Sequence, residues 1–90
     1  MAKKMKTGVK HHFKLHRPGV KSVRLSGTFN KWDISGVECR QKNGVWLAEV
    51  ELKSGKYEYK FLVDGIWETD PEAEKVGNIY GTENSVLVIS

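Results

Sequence analysis

Turn signals break this chain every eight to twelve residues, which leaves room for short strands and little else. Two of them, Asn43-Gly44 and Asp64-Gly65, are dipeptides suited to a two-residue hairpin, whose central positions both need a positive φ. Between the turns, apolar and polar residues alternate with a period of two, and no window sustains helical spacing. VKHHFKLH (9–16) sets Val9, His11, Phe13 and Leu15 against Lys10, His12, Lys14 and His16. VKSVRLSG (20–27) turns Val23 and Leu25 inward, and GVECRQK (36–42) forms a short segment before the Asn-Gly turn. VWLAEVEL (45–52) places Trp46, Ala48, Val50 and Leu52 on one face, and YEYKFLV (57–63) places Tyr57, Tyr59, Phe61 and Val63 on one face. Residues 69–84 read as irregular and polar, and SVLVIS (85–90) supplies a last strand. The pattern predicts an all-β protein, an antiparallel β-sandwich of about six to eight short strands, with a small barrel as the competing architecture.

Composition narrows the function. Ninety residues make one domain, with a basic leader over 1–8 and a single β-sandwich over 9–90. The first 32 residues carry nine Lys or Arg and no acid, whereas the remainder carries six basic and eleven acidic groups. A basic leader attracts polyanions, but most such leaders are simply solvated. No apolar run approaches a membrane span, and the N-terminus lacks the apolar stretch of a signal peptide. The single Cys39 forbids an internal disulfide and reads as a small buried residue in a reducing cytoplasm. His11 and His12 point to opposite faces of their strand and are poorly placed to share a metal.

Three tryptophans remain. Trp46 falls on the buried face of its strand and belongs to the core. Trp32 and Trp67 sit outside any alternating run, in TFNKWD and DGIWETDP, among turn-forming and solvated residues. Either could fold back as a lid on the sandwich. Held outward, an indole is a flat stacking surface for nucleic-acid bases, cations or the apolar face of a sugar ring. A pyranose packs its C–H face on the indole while its rim hydroxyls seek partners such as Asn, Thr and Lys. Two platforms set at an angle would favour a curved oligosaccharide over a straight one.

The stretches VRLSGTFNKWD, YEYKFLVDGIWETDP and NIYGTENSVLVI together resemble the glycogen-binding module of the AMP-activated protein kinase β subunit. More broadly, they are similar to the family-48 carbohydrate-binding modules that accompany amylases, isoamylases and branching enzymes. The likeness runs from about Phe13 to Ile89, with the three motifs in the family's order. It implies an immunoglobulin-like β-sandwich that binds α-1,4-linked glucans such as glycogen, starch or maltooligosaccharides without catalysis or cofactor. It also implies a partner: a glycoside hydrolase, a glycogen-metabolising enzyme or a kinase. By the same resemblance Trp32 and Trp67 each stack on a glucose, and Lys60, Thr82 and Asn84 hydrogen-bond its hydroxyls. Tyr80 occupies the place of a leucine that reaches into the ring of cyclic glucans; a tyrosine there either keeps that contact or blocks it. Asn30 reads first as a turn residue, and Asp64-Gly65 as the turn that aims Trp67. The family's modules usually sit on longer chains, so this one reads as free-standing or as a piece of something longer.

Other functions fit less well. The chain has no G-x-S-x-G, phosphate-binding glycine loop or metal-ligand cluster, and ETDPEAE (68–74), which lacks the alternating oxygen pattern of a calcium loop, reads as a solvated loop. A glycosidase needs two carboxylates flanking one bond in a cleft, which a sandwich of this size seldom offers. Single-stranded nucleic acid would be repelled by Asp33, Glu68 and Asp70 beside the tryptophans. A protein-interaction module that has lost sugar binding is the remaining alternative.

Overall fold

The computed structural model describes residues 8–90, so most of the basic leader lies outside the described residues. Two antiparallel sheets face each other. The first is β1 (Val9–His16), β5 (Val45–Leu52) and β4 (Arg40–Lys42), in that order. The second runs β3 (Val37–Glu38), β2 (Val23–Gly27), β6 (Gly55–Val63), β9 (Glu83–Ile89) and β8 (Glu74–Gly77). A short β7 (Ile66–Glu68) pairs with β6 off this path. The described residues form nine strands rather than six to eight, because several hold only two to four residues.

The inward faces are the ones the alternation predicts. Phe13 and Leu15, Val23 and Leu25, Trp46, Ala48 and Leu52, and Tyr59, Phe61 and Val63 form one core between the sheets. Val9, assigned to the same face, is exposed at the strand end. Both hairpin turns carry the required backbone: φ is +53° at Asn43 and +82° at Gly44, and +48° at Asp64 and +85° at Gly65. Asp64 also accepts hydrogen bonds from the backbone N–H groups of Lys21 and Ser22, tying its turn to the β1–β2 connection.

Three expectations are corrected. GVECRQK is not one strand: β3 pairs with β2 in the second sheet, and β4 with β5 in the first. The chain changes sheets at Cys39, whose side chain fills the core and whose N–H still bonds the Val23 carbonyl. Residues 69–84 are not wholly irregular, since β8 adds an edge to β9. The ETDPEAE stretch is pinned rather than solvated throughout. The Tyr59 hydroxyl donates to Asp70 (2.6 Å), the Asp70 N–H donates to Ser85 Oγ (2.7 Å), and Glu68 pairs with Arg17. Burial, and then the Asp70 carboxylate, push the Tyr59 phenol far above its ordinary range.

Burial, with the Glu38 charge second, pushes the Cys39 thiol up to about 11. Because the folded value lies above the unfolded one, this group stabilises the fold below pH 9, and that contribution is lost as pH rises from 9 to 11. The native protein should therefore resist thiol reagents at pH 8 and react only once denatured. Fast labelling of the folded chain would contradict the buried placement.

Candidate functional site

The site occupies the outer face of the second sheet, at a seam. One edge of β6 is lined by β2, through the pairs Val23↔Val63 to Gly27↔Tyr59. Its other edge is shared in succession: β9 covers residues 55–59 and β7 covers 61–63. Lys60 falls where one partner hands over to the next. Strand alternation turns Glu58, Lys60 and Leu62 outward there, opposite to Tyr59 and Phe61. Trp67 lies directly opposite Leu62 and shares its outward face, so it stands on a short strand rather than in a loop.

Trp32 arrives from the other side. Ser26, opposite Lys60 in the pairing, points to the same outer face yet is fully buried, because the 28–33 segment folds down over it. Ser26 Oγ donates to the Asp33 carbonyl (2.9 Å), and Asn30 Oδ1 accepts the Gly27 N–H (3.0 Å). Phe29 plugs the segment into the core, its ring centroid 5.9 Å from that of Phe13 and 6.3 Å from that of Tyr57. Asn30 is thus a turn-former, as its residue type predicts. Lys31 and Trp32 both have φ of +57°, a conformation costing a non-glycine residue roughly 1–2 kcal/mol. The Trp32 N–H bond to the Gly27 carbonyl (2.9 Å) helps hold it there. Asp33 faces its own loop: the Ser35 hydroxyl and N–H hold its carboxyl below the usual carboxylate range.

The two indoles meet with ring centroids 6.4 Å apart and planes at 74°. Trp67 is 40% exposed and Trp32 is half-buried. Beside them the β8–β9 connection, residues 78–82, raises Ile79 (90% exposed) and Tyr80 (82%) from the surface. These elements enclose an open groove of about 1250 Å³, above the usual span of a small-molecule pocket and suited to a chain of several rings. Trp32, Lys60, Trp67, Tyr80, Thr82 and Asn84 all line it. Lys60 Nζ donates to Thr82 Oγ1 (3.2 Å), leaving two ammonium hydrogens for other acceptors. Asn84, only 8% exposed, lies lower, its amide bridging Glu58 (2.9 Å) and Asn78 (3.0 Å).

Two members escaped the sequence reading. Glu58 was legible as an outward residue of β6 but not as the partner of Asn84. Asn78 makes hydrogen bonds to the backbone or side chains of Tyr80, Gly81, Thr82 and Asn84; its flanking Gly77 and Gly81 were the only signal of a structured turn. Among the described residues no group of three or more His, Cys, Asp or Glu is placed to hold a metal. No helix there is long and apolar enough to cross a membrane.

An antiparallel sandwich that presents two angled indoles, a cation and side-chain amides along an open groove is a recognition module. Residues 9–90 match the glycogen recognition site of AMP-activated protein kinase, and the chain belongs to that family. It is 38% identical over 71 residues to 5'-AMP-activated protein kinase subunit beta-1 of Sus scrofa, covering 79% of this chain and 57% of that protein. It is 40% identical over 68 residues to Protein PTST homolog 2, chloroplastic, of Arabidopsis thaliana, covering 76% of this chain and 13% of that one. The chain therefore spans a little over half of the first relative and about an eighth of the second. Among solved structures, a maltogenic amylase from S. marinus superposes with a TM-score of 0.68 at 25% identity, over 88% of this chain and 13% of the amylase.

Proposed function

We propose that this module binds α-1,4-linked glucans in the groove at the β6 seam, without catalysis, and brings a glycogen- or starch-metabolising partner to the polymer. The observation that carries the reading is the convergence of six side chains from four separate segments on one groove, with two indole planes at 74°. Angled platforms suit a chain that curves from one ring to the next. Trp32 and Trp67 stack on sugar faces, and dispersion together with C–H contacts to the π surface supplies most of the attraction. Lys60 donates to ring hydroxyls. Thr82 Oγ1 already accepts from Lys60 and Asn78, which leaves its own proton to donate outward. Asn84 has one amide hydrogen and one lone pair left for the groove floor. Tyr80 stands far enough out to add a third aromatic surface.

The implied partner is a glycoside hydrolase, a glycogen-metabolising enzyme or a kinase, in keeping with the company of its relatives and of the amylase neighbour. A lone, buried Cys39 suits a reducing compartment, and we assign the module to the cytoplasm. Native gels test the binding. Glycogen or amylose in the matrix should retard the protein, and the retardation should persist at high salt because the ligand is uncharged. Single-stranded DNA at low salt serves as the rival ligand, since phosphate-driven binding weakens steeply with salt. Free migration through glycogen, or salt-sensitive binding to DNA alone, would overturn the reading.

A further inference from the structure

Within that glucan-binding reading, on which this inference rests, the structure assigns to Asn78 the role of positioning residue for the groove's second wall. Ile79 and Tyr80 are almost fully exposed, so packing does not fix them. Gly81, at φ +80°, gives the loop no stiffness of its own. What holds the loop is one residue, Asn78, chiefly through its side chain. Asn78 Oδ1 accepts the N–H groups of Tyr80 (2.9 Å) and Thr82 (3.1 Å). Asn78 Nδ2 donates to Thr82 Oγ1 (2.8 Å) and Asn84 Oδ1 (3.0 Å).

An amide has two donor and two acceptor positions, and all four are used. The amide orientation is unambiguous, because a flipped group would turn its NH2 toward two backbone N–H donors. The Asn78 backbone closes the loop as well, through its N–H to the Thr82 carbonyl (2.9 Å) and its carbonyl to the Gly81 N–H (3.2 Å).

The hub is also tied to the sheet at both ends. From Asn78 one path runs through Thr82 to Lys60, and the other through Asn84 to Glu58. Lys60 and Glu58 are two residues apart on the outer face of β6, so the circuit closes on a single rigid strand. It fixes Thr82, Asn84 and the backbone beneath Tyr80 relative to Lys60 before any ligand arrives. A wall fixed beforehand spares the ligand the cost of ordering it. Asn78 need not touch sugar to set affinity.

Calorimetric titration with maltoheptaose tests the role in four proteins: wild type, Asn78→Ala, Tyr80→Ala/Thr82→Ala, and the triple variant. Asn78→Ala should weaken binding about tenfold, the cost of ordering a side chain or two. In the Tyr80→Ala/Thr82→Ala background the same change should cost at most about threefold, because Asn84 is then the one ligand-facing side chain left for it to position. Equal losses in both backgrounds, or wild-type affinity in Asn78→Ala, would overturn the role. If Asn78→Ala does not fold, Asn78→Asp replaces it: the two backbone acceptor bonds remain, both donors are lost, and an intermediate loss is expected. Wild-type affinity in Asn78→Asp would count against the role too. A wild type that ignores maltoheptaose removes the glucan reading and this inference together. A wild type that binds, with an indifferent Asn78, removes this inference alone.

Discussion

Replacing Trp67 with alanine should abolish retention of the protein by glycogen-containing gels, and Trp32→Ala should do the same. An aromatic stacking surface is worth roughly 1–3 kcal/mol per ring it carries, by analogy with base stacking. An open, shallow groove has little affinity in reserve, since only the surplus over ordering and desolvation appears as binding. Losing one of two main platforms then lowers affinity by about 10- to 100-fold, beyond the range a gel can read. The fold should survive. Trp67 stands on a three-residue edge strand and is 40% exposed, and its aromatic neighbour is Trp32 rather than the core. Loss of that edge-to-face pair costs about 1 kcal/mol, a fall in melting temperature of roughly 4–8 °C for a domain of this size. Unchanged migration of both variants would remove the tryptophans from the site. Unfolding of Trp67→Ala would instead make it a structural residue.

The residues of the candidate site were more legible in the sequence than the way they are assembled. Period-two alternation located the core strands, and the Asn-Gly and Asp-Gly turns declared two hairpins, because each of these signals is local. Trp32 and Trp67 stood out for a local reason as well, as large apolar residues outside any alternating run. What lay beyond reach was long-range. The move of the chain from one sheet to the other at Cys39 depends on β2 and β5, strands outside this stretch to which β3 and β4 pair, and nothing within GVECRQK records it. The seam at Lys60 exists because β9 and β7 divide one edge of β6 between them. A tripeptide such as Ile66–Glu68 is too short to show a period, so Trp67 read as a loop residue. Asn78 lay within the polar stretch 69–84, and nothing local marked it out. Its reach to Asn84 and Thr82 depends on the hairpin geometry of β8 and β9, which the polar stretch 69–84 did not reveal.

The second large effect is on stability, at Gly27. Its φ of −174° is ordinary extended backbone, so any residue could adopt the conformation; the constraint is space. A Cβ at this position would lie 2.4 Å from the Glu58 carbonyl oxygen, 2.8 Å from the Phe29 ring and 2.8 Å from Tyr59 Cβ. The first and nearest of these is backbone of the central strand β6, paired to β2 at this point, and cannot step aside without breaking the ladder. Gly27→Ala should therefore cost about 3 kcal/mol, the upper part of the range for overpacking, and lower the melting temperature by roughly 12–24 °C. Gly77→Ala is the matched control. Its Cβ meets nothing within 4 Å, so its stability should stay within about 0.5 kcal/mol of wild type. Equal melting temperatures for the two variants would refute the close approach. A functional consequence follows from the same contact. The Gly27 carbonyl accepts the Trp32 N–H, and the Gly27 N–H is held by Asn30. A displaced Gly27 thus releases the strained turn that presents Trp32, and glucan retention should fall in Gly27→Ala even at temperatures where the protein remains folded.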